Sequence, residues 1–304
     1  MKRVGVVGAR GYVGSELLPM VERHPGLQLA WVTSTSQVGE SVQSAPSLRY
    51  VAADPALFET SPVDVVMLAL PNGQSEAWVA RAGDTLVVDL STDHRFDASW
   101  AYAQPERFRE RIVGARRVSC PGCYATAAQL AIAPLIDLVV SAHAFGVSGY
   151  SGAGTARTER NDPEVLRDNL LPYALVGHAH ERELSHHLGQ AIRFMPHVAP
   201  FFRGLTVTAS MELSRPLRRT EAEARYSDAY AHAPFVEWLS EPPHPRDSVG
   251  THGVRIGGLS LSEDGRHAVV VGALDNLLGG AASQALRATN LALGLDEAAG
   301  LHAG

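Results

Sequence analysis

Both cysteines of this 304-residue chain fall in one short stretch, Ser119-Cys120-Pro121-Gly122-Cys123-Tyr124-Ala125-Thr126. The spacing C-x-x-C admits three chemistries: a dithiol redox pair, half of a metal site, or one nucleophile beside an incidental thiol. A nucleophilic thiol must ionise easily, and a helix N-terminus favours the thiolate through its dipole. Pro121-Gly122 offers a turn, and CYATAAQLAIAPL offers a helix starting at or just after Cys123. Cys123 is therefore the better-placed nucleophile, whereas Cys120 lies before the proline, further from the helix start.

The rival chemistries need partners that the sequence supplies poorly. A thioredoxin-like dithiol follows the first strands of a small domain, not a large cofactor domain. Zinc would need two more ligands. His178, His180, His186 and His187 in GHAHERELSHH suffice in number, but no second cysteine pair or fixed Cys/His spacing accompanies them, so no metal is expected. Two cysteines that merely fill space remain the plain alternative. Lys2 is the only lysine, which removes Schiff-base catalysis in a pocket and the lysine of a P-loop.

The elements around the thiol begin with RVGVVG, a β-branched run that stops at glycine and leads into the helix-compatible SELLPMVERH. Between them, Gly8, Gly11 and Gly14 form G-x-x-G-x-x-G, with Arg10, Tyr12 and Val13 in the same turn. Glycine there lets backbone approach a pyrophosphate, whose charge meets the helix N-terminus. An NAD site usually has an acid about 20 residues on, at the end of the second strand. Here that region reads Thr33-Ser34-Thr35-Ser36-Gln37, with no acid before Glu40. Ser34, Thr35, Ser36 and Arg10 could receive a 2'-phosphate that an acid would repel, so NADPH/NADP+ is expected over NAD(H). The alternative is that these are ordinary turn residues.

LQLAWVTS, VDVVMLAL and TLVVDLS are continuous apolar runs of the kind found in parallel sheets covered on both faces. With NGQSEAWVARA as an intervening helix, they predict a Rossmann-type, doubly wound α/β domain. After Cys123 comes an apolar, helix-like segment, Tyr124 to Val139. The following HAFGVSGYSGAGTARTERNDP is too rich in Gly, Ser and Thr for regular structure and reads as a functional loop. LTVTASMELS, GVRIGGLSLS and HAVVVGALD alternate, as in an antiparallel sheet with one covered face. NLLGGAASQALRATNLALGL reads as a C-terminal helix ending near Gly294.

Composition narrows the partners. With 45% hydrophobic and 19% charged residues, the chain is that of a soluble globular protein. Its net charge of -6 argues against nucleic acid, which is bound by basic surfaces. Arg10 interrupts the first apolar run, so it is not expected to be a signal peptide. Pro134, Asp137 and His143 break the longest later run, which a membrane span of about 20 residues would tolerate poorly. A cytoplasmic protein without membrane contact is expected.

VSCPGCYATAAQLAIAP, Val118 to Pro134, resembles the active-site segment of the N-acetyl-gamma-glutamyl-phosphate reductases, a family related to the aspartate-semialdehyde dehydrogenases. The likeness extends in order through GARGYVG, LPNG at Leu70, VDLSTDHRFD at Val88, GYSGAGTARTERNDP at Gly149, GHAHERE at Gly177 and FMPHVAPFFRGL at Phe194. It covers most of the chain. The resemblance implies that Cys123 attacks an acyl phosphate, expels inorganic phosphate and holds a thioester that NADPH reduces to N-acetylglutamate semialdehyde.

It also places the acid/base in GHAHERE, at His178 or His180, with Glu183 as an orienting carboxylate. On a helix the two histidines would diverge by about 200° and could not aim equally well at one thiol; His178 is favoured. Ala179 stands where the family often has arginine. Candidates for the substrate's anionic groups are Arg95, Arg157, Arg160 and Arg203, because the guanidinium fork binds carboxylate or phosphate bidentately. The relatives imply that Ser151 and Gly152 approach the nicotinamide or thioester and that Asn276 contacts the nicotinamide amide.

The expected organisation is a dinucleotide domain over residues 1–122, rejoined by a C-terminal helix at about 276–304, and an α+β catalytic and oligomerisation domain over 123–275 with a mixed, largely antiparallel sheet. The relatives imply a homodimer or homotetramer. Open alternatives are a related reductase acting on an N-acylated aminoadipyl phosphate or aspartyl phosphate, a noncatalytic NADP-binding regulator, and a thiol-disulfide or metal protein. Cys120 and Cys123 together are expected to make the enzyme reversibly oxidisable.

Overall fold

Burial on both faces makes strands of the continuous apolar runs near the start of the chain. The computed structural model describes residues 1–301. Among the described residues its contacts divide into two units, Met1–Pro121 with residues 281–301, and Gly122–Gly280. Among the described residues the first unit carries β1 (Lys2–Val7), β2 (Leu27–Thr33), β3 (Ser41–Val42), β4 (Ala45–Val51), β5 (Val65–Leu68), β6 (Leu86–Asp89), β7 (Ala101–Tyr102) and β8 (Arg117–Ser119).

These strands order as β3-β4-β2-β1-β5-β6-β8-β7, parallel except for the β3–β4 pair. Strand order reverses beside β1, the place where doubly wound sheets open a ligand site at their carboxyl ends. The helices Tyr12–Glu22 and Ser283–Ala292 pack on this sheet and on each other. A buried ion cluster anchors the second of these: Arg287 meets both Glu106 and Glu297, and Arg109 also reaches Glu297.

The second unit carries β9 (Val139–Gly149), β10 (Leu171–Pro172), β11 (Ile192–Ala199), β12 (Leu205–Leu213), β13 (Val236–Leu239), β14 (Val254–Leu261) and β15 (His267–Leu274), ordered β10-β11-β9-β12-β15-β14-β13. The β9–β11 and β13–β14 pairs are parallel and the others antiparallel. Along β12, Leu205, Val207, Ala209, Met211 and Leu213 enter the core while Thr206, Thr208 and Ser210 stay partly exposed. The buried face packs on the helices Cys123–Ile132 and Ala179–Leu188. Among the described residues no helix is long and apolar enough to cross a membrane.

Two expectations about local structure fail here. The loop expected from His143 begins only at Tyr150, because Val139–Gly149 is the eleven-residue strand β9. Its small residues serve packing: a Cβ on Gly146 would lie 2.5 Å from the Tyr124 ring and 2.9 Å from Phe194. The helix expected over Tyr124 to Val139 stops at Ile132 and tightens into a 3-10 turn, Ala133–Leu135. Pro134 cannot donate the backbone hydrogen bond that would continue it.

Candidate active site

Cys123 is the first residue of its helix, and Gly122 is the N-cap, in extended conformation with no side-chain cap. The helix is rich in alanine and every residue after Cys123 is buried, so it enters the core close against β12 and β15. A Cβ on Gly280 would stand 2.6 Å from that of Cys123, so only glycine fits beside the thiol. Glu183 is buried, and its Oε1 accepts a 3.0 Å hydrogen bond from the N–H of Gly122. Cys120 is different in kind. It is buried in the first unit, and burial pushes its thiol far above the ordinary range, with the charge of Asp89 adding and that of Arg95 opposing. Both cysteines are thiols, with only Cys123 partly exposed.

The histidines do not diverge as a helix would require. His178 is the N-cap of the Ala179–Leu188 helix, with φ -57° and ψ 145°, so only His180 lies within it. The two rings stand 4.9 Å apart, and His178 Nδ1 accepts a 3.1 Å hydrogen bond from the backbone N–H of His180. His178 packs edge-on against Tyr173 at 5.4 Å and Phe194 at 5.4 Å, while His180 meets Tyr124 at 5.6 Å. Burial lowers the pKa of His178, Arg160 lowers it further, and Glu183 and Glu181 oppose both. His186 and His187 lie in the last turn, with their rings against each other.

Tyr173 belongs to this cluster although the sequence offers no signal for it. Its phenol is pushed up to about 12 by burial and by the charge of Cys123, against the opposing charge of Arg160. The Arg160 guanidinium sits 5.0 Å from the Tyr173 ring centroid. Arg157 does not join them: it is exposed and pairs with Asp162 at 3.1 Å.

Asp275 organises a neighbouring group. It binds Arg203 through Nε at 2.8 Å and Nη2 at 3.1 Å, and it accepts from the N–H groups of Gly250, Leu277 and Leu278. The next residue, Asn276, donates to Ser151 Oγ at 2.8 Å and accepts from Gly204 N–H at 2.8 Å. A Cβ on Gly152 would lie 3.2 Å from Ser148 Oγ and 3.7 Å from Asn276. Ser151, Gly152, Arg203 and Asn276 thus form one constellation, whose organiser Asp275 sequence reading missed. Arg95 lies in the first unit, where it donates to the carbonyls of Cys120 at 2.8 Å and Leu90 at 3.3 Å. Those bonds fix backbone, which explains why the residue is buried.

The glycine turn of the first unit has the shape a pyrophosphate needs. Gly8 has φ +75°, and a Cβ there would lie 2.2 Å from the Ala69 carbonyl oxygen. A Cβ on Gly14 would lie 2.4 Å from the Gly8 oxygen. Gly11 caps the Tyr12–Glu22 helix without a side chain, so Tyr12, Val13 and Gly14 supply the first-turn amides that lack intrahelical acceptors. Thr33, also missed from sequence, holds the turn by accepting from Gly8 N–H at 3.2 Å. Ser34 is buried and its Oγ accepts from the N–H groups of Ser36 and Gln37, while Arg10, Thr35 and Ser36 are exposed. A dinucleotide therefore fits these residues.

Residues 3–115 match the family described as semialdehyde dehydrogenase, NAD binding domain, and residues 123–276 the one described as semialdehyde dehydrogenase, dimerisation domain. N-acetyl-gamma-glutamyl-phosphate reductases from Xanthomonas oryzae pv. oryzae (strain MAFF 311018) and Stenotrophomonas maltophilia (strain R551-3) are 50% and 49% identical, each match covering 97% of this chain and 96% of the relative. The reductase of Xylella fastidiosa (strain M23) is 47% identical over 97% of this chain and 93% of its own. Among solved structures, aspartate semialdehyde dehydrogenase II from Vibrio cholerae has a TM-score of 0.80 at 17% identity, covering 96% of this chain and 98% of that one. That likeness concerns the fold.

Proposed function

Because the chain belongs to the semialdehyde dehydrogenase family and groups with its N-acetyl-gamma-glutamyl-phosphate reductases, we propose that it reduces N-acetyl-gamma-glutamyl phosphate to N-acetylglutamate 5-semialdehyde. The reaction releases inorganic phosphate and serves arginine biosynthesis in the cytoplasm. The observation that carries this reading is Cys123 at a helix N-terminus, with a histidine pair, Tyr173 and Arg160 gathered in the same unit.

The cofactor is a nicotinamide dinucleotide. When bound, it supplies the hydride. Gly8, Gly11 and Gly14 let backbone approach its pyrophosphate, and the amides of Tyr12, Val13 and Gly14 meet the charge. Arg10, Thr35 and Ser36, with no acid at the end of β2, favour NADP(H). The resemblance assigns Ser151, Gly152 and Asn276 to the nicotinamide.

Cys123 thiolate attacks the acyl carbon, phosphate leaves, and the thioester stays on the sulfur until reduction and collapse regenerate the thiolate. His178 and His180 serve the reacting carbon, and Glu183 fixes the turn before Cys123. Arg160 is the arginine best placed for the anionic substrate beside the thiol. Arg203, anchored by Asp275, is a further candidate for the substrate's anionic groups. The match of residues 123–276 to a dimerisation domain supports the reading of an oligomer, a homodimer or homotetramer.

Phosphate-dependent oxidation of N-acetylglutamate semialdehyde, followed at the NADPH absorbance, tests the reading. Activity is expected with NADP+ well above that with NAD+; a preference for NAD+ would overturn the cofactor assignment. Activity with aspartate semialdehyde alone would overturn the substrate and leave the chemistry.

A further inference from the structure

Asp275 directly follows β15 and is fully buried, and its carboxylate meets donors from three separate stretches of the second unit. Its Oδ1 accepts from the N–H groups of Leu277 at 2.9 Å and Leu278 at 3.2 Å, and from Arg203 Nη2 at 3.1 Å. Its Oδ2 accepts from Gly250 N–H at 2.7 Å and stands 2.8 Å from Arg203 Nε. The Asp275 carbonyl oxygen accepts from Gly280 N–H at 2.9 Å, which opens the wide π-helical turn Leu278–Ala282. The first amides of such a turn have no acceptor behind them, and Oδ1 supplies it. Gly280 then lies against the thiol residue: a Cβ on it would stand 2.6 Å from Cys123 Cβ and 3.2 Å from Cys123 Cα. The side chain that caps the turn thus sets the wall behind the nucleophile, and the same side chain holds the guanidinium of Arg203.

We propose that Asp275 is a positioning residue of the reaction, acting on Cys123 through the turn it caps and on the substrate's anionic groups through Arg203. The inference rests on the proposed function, in which Cys123 is the nucleophile. The two arms use different chemistry. Capping needs one acceptor oxygen close to the backbone, which a hydroxyl supplies as well as a carboxylate does. Holding the Arg203 fork needs both oxygens of a carboxylate. The consequences of losing each arm differ as well. A displaced turn changes where the sulfur sits, and small displacements of a reacting atom slow turnover. A released guanidinium weakens the grip on the substrate instead.

Substitutions at this one position separate the arms. Asp275→Ala removes both, and is expected to lower kcat by about 10²-fold and to change the high-pH plateau rate of Cys123 alkylation by iodoacetamide by at least about threefold. Asp275→Ser restores the cap, so kcat and the alkylation rate should return to within about threefold of the parent. Its KM should stay raised by about tenfold, the effect of losing a charge-assisted hydrogen bond. Arg203 lacks its carboxylate in both variants, so a loss of stability common to the two does not produce that difference. Arg203→Lys keeps a cation on Asp275 without the fork, and should raise KM with alkylation unchanged. Equal kcat and alkylation in the Ala and Ser variants, a parental KM in Asp275→Ser or Arg203→Lys, or altered alkylation in Arg203→Lys would each overturn the proposal. Should Asp275→Ala fail to fold, as checked by circular dichroism, the Ser and Lys variants decide it by the same outcomes. A parent without acyl-phosphate reductase activity would instead overturn the functional reading, with the alkylation rates still deciding whether Asp275 positions Cys123.

Discussion

Glu183, on the helix that follows the histidine motif, accepts the backbone N–H of Gly122 at 3.0 Å, the residue immediately before the thiol. Both partners are in the buried interior of the second unit, so the bond sets where the Cys123 helix begins.

Removing the acceptor should therefore disturb both stability and the nucleophile. Glu183→Ala leaves a buried N–H unmatched, at a cost of about 1–3 kcal/mol. Glu183→Gln keeps an acceptor oxygen and removes a negative charge near the thiol. It should stay close to parental stability in urea unfolding and speed iodoacetamide alkylation of Cys123 at neutral pH. An Ala variant as stable as the parent would contradict the assignment.

The two cysteines should separate cleanly. Cys123→Ser is expected to lose roughly 10⁴-fold or more of activity, as when a covalent nucleophile is removed. A protonated thiol attacks neither disulfides nor oxidised sulfur readily, and burial keeps Cys120 protonated. The oxidisable pair expected from the sequence gains no support from that environment. Under mild peroxide, Cys120→Ser and the parent should lose activity at equal rates, and protection by the substitution would reinstate the pair.

His24 makes part of the stability of the first unit depend on pH. It is buried, its Nε2 stands 3.0 Å from Asn290 Oδ1, and its Nδ1 accepts from Gly26 N–H at 2.9 Å. Burial lowers its pKa, against the opposing bond to Asn290. The folded protein thus favours the neutral ring. That contribution is complete above the unfolded-state value of about 6.5 and is lost as pH falls from there through the lowered folded value. Between about pH 7.5 and about pH 5.5 the Tm of the parent should fall further than that of His24→Gln.

Arg287 offers the largest single effect on stability. Arg287→Met leaves Glu106 and Glu297 buried without their shared cation, and breaking such a cluster costs about 3–5 kcal/mol. A Tm lowered by about 10 °C is expected for a chain of this size. Replacing both carboxylates by their amides in the same variant should recover much of the loss; no recovery would mean that packing, not charge, is what Arg287 provides.

Some of this was legible because it is local. Gly8, Gly11 and Gly14 announce a turn between a strand and a helix, and a helix after Pro121-Gly122 puts a cysteine at its N-terminus. Those features depend on backbone conformations set within a few residues. The alternation of Leu205, Val207 and Ala209 with Thr206 and Thr208 likewise reveals a sheet with one covered face. Composition alone misread β9, since Gly146 looks like a loop residue until Tyr124 and Phe194 are seen to occupy the space of its missing side chain.

What the sequence determined by itself was the glycine turn, the identity of the better-placed thiol and the kinds of groups available to serve it. Tertiary structure decided which of those groups meet. It chose Arg160 over Arg157 beside Tyr173, joined Arg203 to Asp275, and put Glu183 under Gly122. It also started the helix only one residue after His178, turning two histidines expected to diverge into a hydrogen-bonded pair. These relationships bring together residues up to 72 positions apart through packing and strand register, and no residue spacing encodes the direction of a side chain once the backbone leaves the helix.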